Sequence, residues 1–345
     1  MSDNSATFYI YKRNAAGNFT KDKELKKHIE RVTSVDWAPR TNRIVTCSGD
    51  RNAYVWNQDA GTGEWKATLV LLRIDRAATY VRWSPAEDRF AVGSGARILS
   101  ICYYEEEPDW WVSKHIKKPI RSTILCVDWH PNNYLLAVGS CDFKCRIFSA
   151  ALKELEDKPE TSGWMPKLSK FATLLAEFDT SEGWVHGVKF SPSGEKLAWV
   201  SHDSSVNVVE MGRQEKVFRC LTSSLPLTTV MFLTETALVC AGHDNIPSLY
   251  NVVGENVVFG ARLDVTKKKE TGGMSAMARF KQLDKTGDKL DDSKLGTTHQ
   301  NAIIELRTTK LEGGKVKQFS SAGQDAKVVI WDVDVLAASI AGLKI

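Results

Sequence analysis

Tryptophan recurs in this chain at a fixed distance. Trp37, Trp83 and Trp129 stand 46 residues apart, and each is followed two positions on by proline, at Pro39, Pro85 and Pro131. The surrounding phrases repeat too: VTSVDWAPRTNRIVTCSGDRNAYVW at 32–56, VRWSPAEDRFAVGSGARILSIC at 81–102 and VDWHPNNYLLAVGSCDFKCRIF at 127–148. An internal period of roughly 20–50 residues confines a chain to architectures in which one supersecondary unit stacks on the next, because no single unit can bury its own apolar face.

Inside the first unit, residues 33–37 read as a strand, 38–42 as a Pro-containing turn, 43–48 as a strand, 49–50 as a tight turn and 53–56 as a strand, with 65–72 as a fourth. Four antiparallel strands in roughly 40–45 residues make the blade of a β-propeller. A fourth copy lies at 185–209, with Phe190-Ser191-Pro192 in the Trp-x-Pro place; a fifth at 227–250 keeps Phe232 but loses the proline; a sixth spans 302–331. A turn aspartate stands six residues before the end of the third strand in five copies: Asp50/Trp56, Asp142/Phe148, Asp203/Val209, Asp244/Tyr250 and Asp325/Trp331. In copy two Ala96 and Cys102 occupy these places. A carboxylate there accepts backbone N–H groups and fixes the turn, and the aromatic packs between blades.

Bulk composition excludes more than it selects. Of 345 residues, 43% are hydrophobic and 26% charged, enough to build a real core. The formal charge of +4 does not argue for nucleic acid, and no apolar run approaches the roughly 20 residues that cross a bilayer. The N-terminal residues lack a secretory h-region. Seven cysteines, none in a CxxC, read as reduced core residues of a cytoplasmic protein, with no metal site. Ser201-His202-Asp203 and His243-Asp244 hold triad-type residues but fall on structural turns, and a triad needs convergence in space, not adjacency in sequence. No phosphate-cradling glycine loop is present. The reading is a non-enzyme without cofactors.

With these residues in hand, the chain resembles the WD-repeat propellers, whose name-giving dipeptide is Trp331-Asp332 here. That resemblance implies a hydrogen-bonded tetrad of His, Ser/Thr, Asp and Trp: His28, Ser48, Asp50 and Trp56 in copy one, and His299, Asp325 and Trp331 in copy six, with Gly323 at the hydroxyl position. Longer phrases (LVLLRIDRAATYVRWSP, DWHPNNYLLAVGSCDFKCRIFSA, GWVHGVKFSPSG) are similar to the family of propeller subunits, 40-kDa class, of the actin-related protein 2/3 complex. The family nucleates branched actin filaments as part of that complex, so the resemblance implies the complex's other subunits as partners and a place in the actin cytoskeleton. It also implies a seven-bladed, all-β propeller forming one domain over 1–345. Against that pattern the pair of strands at 6–13 and 19–25 is expected to be the remainder of an incomplete seventh blade at the N-terminus.

The period is stretched at 151–169 and fails most between the fifth and sixth copies. Asp244 to Asp325 is 81 residues, and the excess lies at 266–298, polar and Lys- and Gly-rich at both ends. Its centre, 274–284, reads as a short helix with Met277, Phe280 and Leu283 at i/i+3 spacing. The bland reading packs this face on the propeller's own rim. The resemblance instead implies that Met277, Arg279, Phe280 and Leu283 contact the actin filament or the acidic tails of nucleation-promoting factors. Elsewhere, consecutive Trp110 and Trp111 on a strand must face opposite ways, leaving one outward for a subunit contact. The 151–169 stretch reads as a solvated connection. A free-standing WD-repeat adaptor that reads peptide motifs over the central channel is the alternative.

Overall fold

Each copy of the repeat folds as its own antiparallel sheet. The computed structural model describes residues 5–14, 17–107, 109–155, 162–165, 167, 169–264 and 295–340. A ribbon comes first, β1 (Thr7–Arg13) and β2 (Phe19–Lys26). Blade one is β3 (Val32–Ala38), β4 (Arg43–Ser48), β5 (Ala53–Gln58) and β6 (Trp65–Val70). Blade two is β7 (Ala78–Trp83), β8 (Arg89–Ser94), β9 (Leu99–Glu105) and β10 (Trp110–Ile116); blade three is β11 (Ile124–Trp129), β12 (Leu135–Ser140), β13 (Cys145–Ser149) and β14 (Leu174–Phe178). Blade four runs through β15 (Val185–Phe190), β16 (Lys196–Ser201), β17 (Ser205–Glu210) and β18 (Val217–Leu221). Blade five holds β19 (Leu227–Phe232), β20 (Ala237–Gly242), β21 (Ser248–Val253) and β22 (Asn256–Arg262). Blade six has three strands, β23 (Ile303–Glu312), β24 (Lys315–Gly323) and β25 (Val328–Asp332), followed by helix α1 (Val333–Ser339), whose first turn is capped by the Asp332 carboxylate accepting from Val335 N at 3.1 Å.

The propeller therefore has six blades, not the seven expected. The strands β1 and β2 pair only with each other, and β2 is exposed along nearly its whole length. The ribbon lies against blade one, where Phe8 packs edge-on to Trp56 at 5.1 Å beside Ile44, Ile10 and Leu25. It is a flap on that blade and not a radial layer of the ring, so the expectation of an incomplete seventh blade is withdrawn.

Two local features repeat from blade to blade. The first strand carries a bulge at one place, between Val32/Ser34, Ala78/Tyr80, Ile124/Cys126, Val185/Gly187, Leu227/Thr229 and Ile303/Glu305. A bulge adds a residue to one strand and turns its side chain out of register. Where that residue is threonine, its hydroxyl donates to the next blade's carbonyl: Thr33 to Ala78 O at 2.8 Å, Thr79 to Ile124 O at 2.6 Å, and Thr228 to Ile303 O. In the turn between the second and third strands the left-handed residue is Arg51, Arg97, Phe143, Ser204, Asn245 or Ala326, with φ from 60° to 71°. Blade two keeps this turn although Ala96 has replaced its aspartate.

Between blades lie separate apolar layers. Trp83, Phe90 and Trp111 meet Val45, Val55 and Val70 between blades one and two, and Trp129, Leu136 and Phe148 meet Tyr103 and Ile101 between two and three. Fully burying one such side chain contributes about 1.5–3 kcal/mol. Among the described residues of the 151–169 connection, Trp164 and Met165 are buried against blades three and four, and Trp164 Nε1 donates to Gly194 O at 2.7 Å.

Candidate functional site: interblade tetrads and axial charges

The turn aspartates share one geometry. Each reaches back to the segment that enters its blade and accepts a main-chain N–H there: Ile29 N to Asp50 at 3.1 Å, Arg121 N to Asp142 at 3.0 Å, Glu182 N to Asp203 at 2.8 Å, Leu225 N to Asp244 at 3.3 Å and Gln300 N to Asp325 at 2.8 Å. A second oxygen holds the turn itself, as in Asn52 N to Asp50 at 3.0 Å and Lys327 N to Asp325 at 3.2 Å. One carboxylate thus ties the entering chain to the turn.

In blade one the carboxylate is backed by a relay. His28 Nδ1 lies 2.8 Å from Asp50, His28 Nε2 lies 2.9 Å from Thr46 Oγ1, and Trp56 Nε1 donates to the same hydroxyl at 3.0 Å. An ionised carboxylate only accepts, so Nδ1 donates, Nε2 accepts, and Thr46 passes its proton to the ring while taking the indole N–H. Burial lowers the His28 pKa despite the opposing pull of Asp50, which keeps the ring in this neutral form. The hydroxyl of this tetrad is Thr46 and not Ser48. Ser48 donates to Glu30 O at 2.9 Å and accepts Asp50 N at 3.2 Å, bracing the turn from below.

Blade six has the same relay in full. His299 Nδ1 lies 3.1 Å from Asp325, and Ser321 Oγ sits 2.7 Å from both His299 Nε2 and Trp331 Nε1. Gly323, expected at the hydroxyl position, cannot supply one: a Cβ there would come within 2.4 Å of Asp325 Oδ1 and 2.6 Å of His299 Nδ1. The signal was in the chain. Thr46 precedes Trp56 by ten residues and Ser321 precedes Trp331 by ten.

Blades three, four and five keep the aspartate and change its support. Asp142 is held by the Arg146 guanidinium at 2.9 Å and by the Ser140 hydroxyl, and Arg146 also pairs with Glu177 at 2.7 Å. Asp203 accepts from Ser205 Oγ at 2.6 Å and Arg219 at 3.0 Å. Burial pushes both carboxyls up, yet these donors outweigh it and each sits below its ordinary value. Asp244 has its longest partner in Arg262, at 3.6 Å.

A second set of residues, not anticipated from the sequence, converges on the axis. The residue before each repeat aromatic is Asp36, Arg82, Asp128 and Lys189 in blades one to four, alternating in sign. Arg82 comes within 4.0 Å of carboxylates from three other blades: Asp36 at 3.6 Å, Glu305 at 3.7 Å and Asp128 at 4.0 Å. Lys189 meets Asp128 at 2.6 Å, and Arg307 of blade six meets Asp36 and Glu305, each at 2.8 Å. Asp36 and Asp128 also accept main-chain N–H groups of a neighbouring blade, Trp83 N at 2.8 Å and Phe190 N at 2.9 Å. Burial raises the Asp36 and Glu305 pKa values, with Arg82 the main opposing charge.

On the opposite end, the turns after the Trp-x-Pro positions latch to one another. Glu87, in a left-handed conformation, accepts Arg40 N at 3.1 Å and Thr41 N at 2.7 Å; Asn133 accepts Ala86 N at 2.8 Å; Glu235 accepts Ser193 N at 2.7 Å.

Catalytic geometry does not form at the triad-type residues. Ser201 Oγ meets Ser181 Oγ at 2.7 Å, while the His202 ring meets His186 at 2.9 Å. Burial pushes the Cys47 thiol up to about 12, and among the described residues no three His, Cys, Asp or Glu side chains could hold a metal ion. Trp111 is buried and Trp110 is 60% exposed. Met277, Arg279, Phe280 and Leu283, with the whole of 274–284, lie outside the described residues.

Repeated four-stranded blades, turn aspartates that pin the entering chain, and two complete His–hydroxyl–Trp relays define a WD-repeat β-propeller. Residues 19–57 and 113–149 match the WD domain, G-beta repeat family. Over 349 aligned residues the chain is 49% identical to actin-related protein 2/3 complex subunit 1A-A of Xenopus laevis, covering 100% of this chain and 93% of that protein. It is 46% identical to subunit 1 of Schizosaccharomyces pombe (88% of this chain, 85% of that protein) and 38% identical to subunit 1B of Arabidopsis thaliana (97% and 90%). The chain belongs to the family of actin-related protein 2/3 complex subunit 1.

Proposed function

We propose that this chain is a non-enzymatic structural subunit of an actin-related protein 2/3 complex in the cytoplasmic actin cytoskeleton. The observation that carries the reading is the 49% identity to subunit 1A-A along the entire chain. The geometry supports it: the conspicuous polar clusters tie blade to blade, which suits a rigid scaffold for other subunits. The adaptor alternative needs free charges around the channel to read a peptide, whereas Asp36, Arg82, Asp128, Lys189, Glu305 and Arg307 are paired in charge with one another across the blades. Within the complex, the proposed contact with actin or with acidic tails of nucleation-promoting factors is the 266–298 insert, through Met277, Arg279, Phe280 and Leu283.

The test is stoichiometric co-purification of the tagged chain from its own cells. The expected result is a stable assembly containing two actin-related proteins; a monomer with only transient clients overturns the proposal. For the insert, Phe280→Ala with Leu283→Ala is expected to lower filament branching by the reconstituted complex while assembly stays intact. Unchanged branching removes the insert from the account.

A further inference from the structure

Five arginines among the described residues are at least partly buried: Arg43, Arg82, Arg89, Arg146 and Arg307. Four of them hold a carboxylate, Arg82 and Arg307 on the axis, Arg89 with Asp88 at 3.0 Å and Arg146 with Asp142. Arg43 alone of the five has no carboxylate within 4.0 Å among the described residues. Its guanidinium stacks over Trp83 at 5.1 Å and Trp111 at 5.8 Å. It donates through Nε to Thr41 Oγ1 at 3.1 Å and through one NH2 hydrogen to Glu87 O at 2.6 Å. The other N–H groups of the fork have no partner among the described residues. The nearest acids are engaged elsewhere, Glu87 with Arg40 and Thr41, Asp88 with Arg89, Ser84 and Asn133. Burial accordingly lowers the Arg43 pKa, with Glu87 and Asp88 only partly restoring it.

This guanidinium lines a cleft of about 380 Å3 between blades one and two, together with Asn57, Thr68, Tyr104, Asp109 and Trp111. Sheet register explains the arrangement. Arg43 is paired with Asn57 across β4 and β5, and β10 brings Trp111 against the same layer. Asn57 and Thr68 offer an amide and a hydroxyl beside the cation, Trp111 and Tyr104 offer flat apolar walls, and the Asp109 carboxylate is occupied by the Tyr104 hydroxyl. A partly desolvated fork with spare donors and no counter-ion is completed best by a bidentate carboxylate, and aromatic walls raise the strength of that pair by excluding water.

The geometry points to this cleft as a docking site for an acidic side chain, Asp or Glu, on an extended segment of a partner protein, with Arg43 as its counter-ion. The occupant follows from charge complementarity alone and does not depend on which assembly the chain joins. Acetyl-tetraglutamate amide, with acetyl-tetraglutamine amide as the neutral control, is titrated into the full chain and followed by tryptophan fluorescence. Arg43→Gln is expected to weaken the acidic peptide at least tenfold, while Lys21→Gln with Lys23→Gln on the exposed β2 changes it less than twofold. Equal binding of the two peptides, full binding by Arg43→Gln, or an equal loss in the Lys21/Lys23 variant overturns the proposal. Should Arg43→Gln fail to fold, phenylglyoxal labelling of the unaltered chain decides. Protection of Arg43 by the acidic peptide alone upholds the site, and labelling that neither peptide alters removes it.

Discussion

Blades one and three solve the same problem with different chemistry. Both use a turn aspartate to hold the segment entering the blade, Asp50 on Ile29 N and Asp142 on Arg121 N. Blade one supports its carboxylate with a neutral relay through His28, Thr46 and Trp56, blade three with the charged Arg146 that Glu177 also grips. The carboxylate-to-backbone bond is the common requirement, and what stands behind it is interchangeable. A neutral relay fails if any link is lost, because each atom depends on its neighbour's donor or acceptor role. A guanidinium shared by two acids keeps one partner when the other is removed.

The sharpest way to break this comparison is to delete both aspartates. Asp50→Ala leaves the buried His28 Nδ1 without an acceptor and frees Ile29 N, and is expected to cost about 3 kcal/mol. Asp142→Ala leaves Arg146 on Glu177 and is expected to cost about 2 kcal/mol, both measured by urea denaturation of the full chain. Equal losses would dissolve the distinction. Next, Thr46→Val is expected to cost about 2 kcal/mol, and Ser48→Ala about 1 kcal/mol; the reverse order would return the tetrad hydroxyl to Ser48.

The third prediction concerns pH. The folded His28 releases its proton more readily than the unfolded chain does, so the relay's contribution is complete above the ordinary 6.5 and is lost as pH falls below it. Asp142 is held below its ordinary 3.8, so its contribution persists until pH falls beneath that value. Between pH 7 and pH 5, amide exchange corrected for intrinsic rate is expected to accelerate in residues 28–58 and to stay level around the Asp142 turn at 140–146, with residues 130–135 set apart because burial lowers the His130 pKa as well. Parallel behaviour would show that the imidazole carries no share. The smallest effect belongs to Lys144→Gln, which removes partly exposed pairs with Glu177 and Asp179 at 2.8 and 3.3 Å. Its expected cost is under about 1 kcal/mol, and a larger loss would mean that Lys144 supports Arg146.

Much of the scaffold was legible because it repeats. The tryptophan period, the turn aspartates and the strand alternation are local signals, and all six copies became sheets. Less legible was anything requiring two copies to be set side by side. Thr46 and Ser48 both lie on β4 with side chains on the same face, so alternation alone could not choose between them. The indole ten residues on from Thr46 makes the choice, and the same distance in blade six points to Ser321. The alternation of Asp36, Arg82, Asp128 and Lys189 was equally visible as letters, yet its meaning depends on ring closure, which brings residues more than 200 positions apart, Arg82 and Glu305, to 3.7 Å. The blade count misled because two short strands resemble part of a repeat, while sheet membership is decided by pairing and the ribbon pairs only with itself.

The threonine bonds, the axial charges and the proline-end latches run around the ring, across the strands and not along them. A force that parts blades one and two, or two and three, therefore meets three sets of bonds that share the load at once, instead of a ladder that unzips rung by rung. Mechanical compliance should concentrate between blades six and one. There Arg307 and Arg82 span to Asp36 and Glu305 through side chains, and long flexible side chains yield before a strand does.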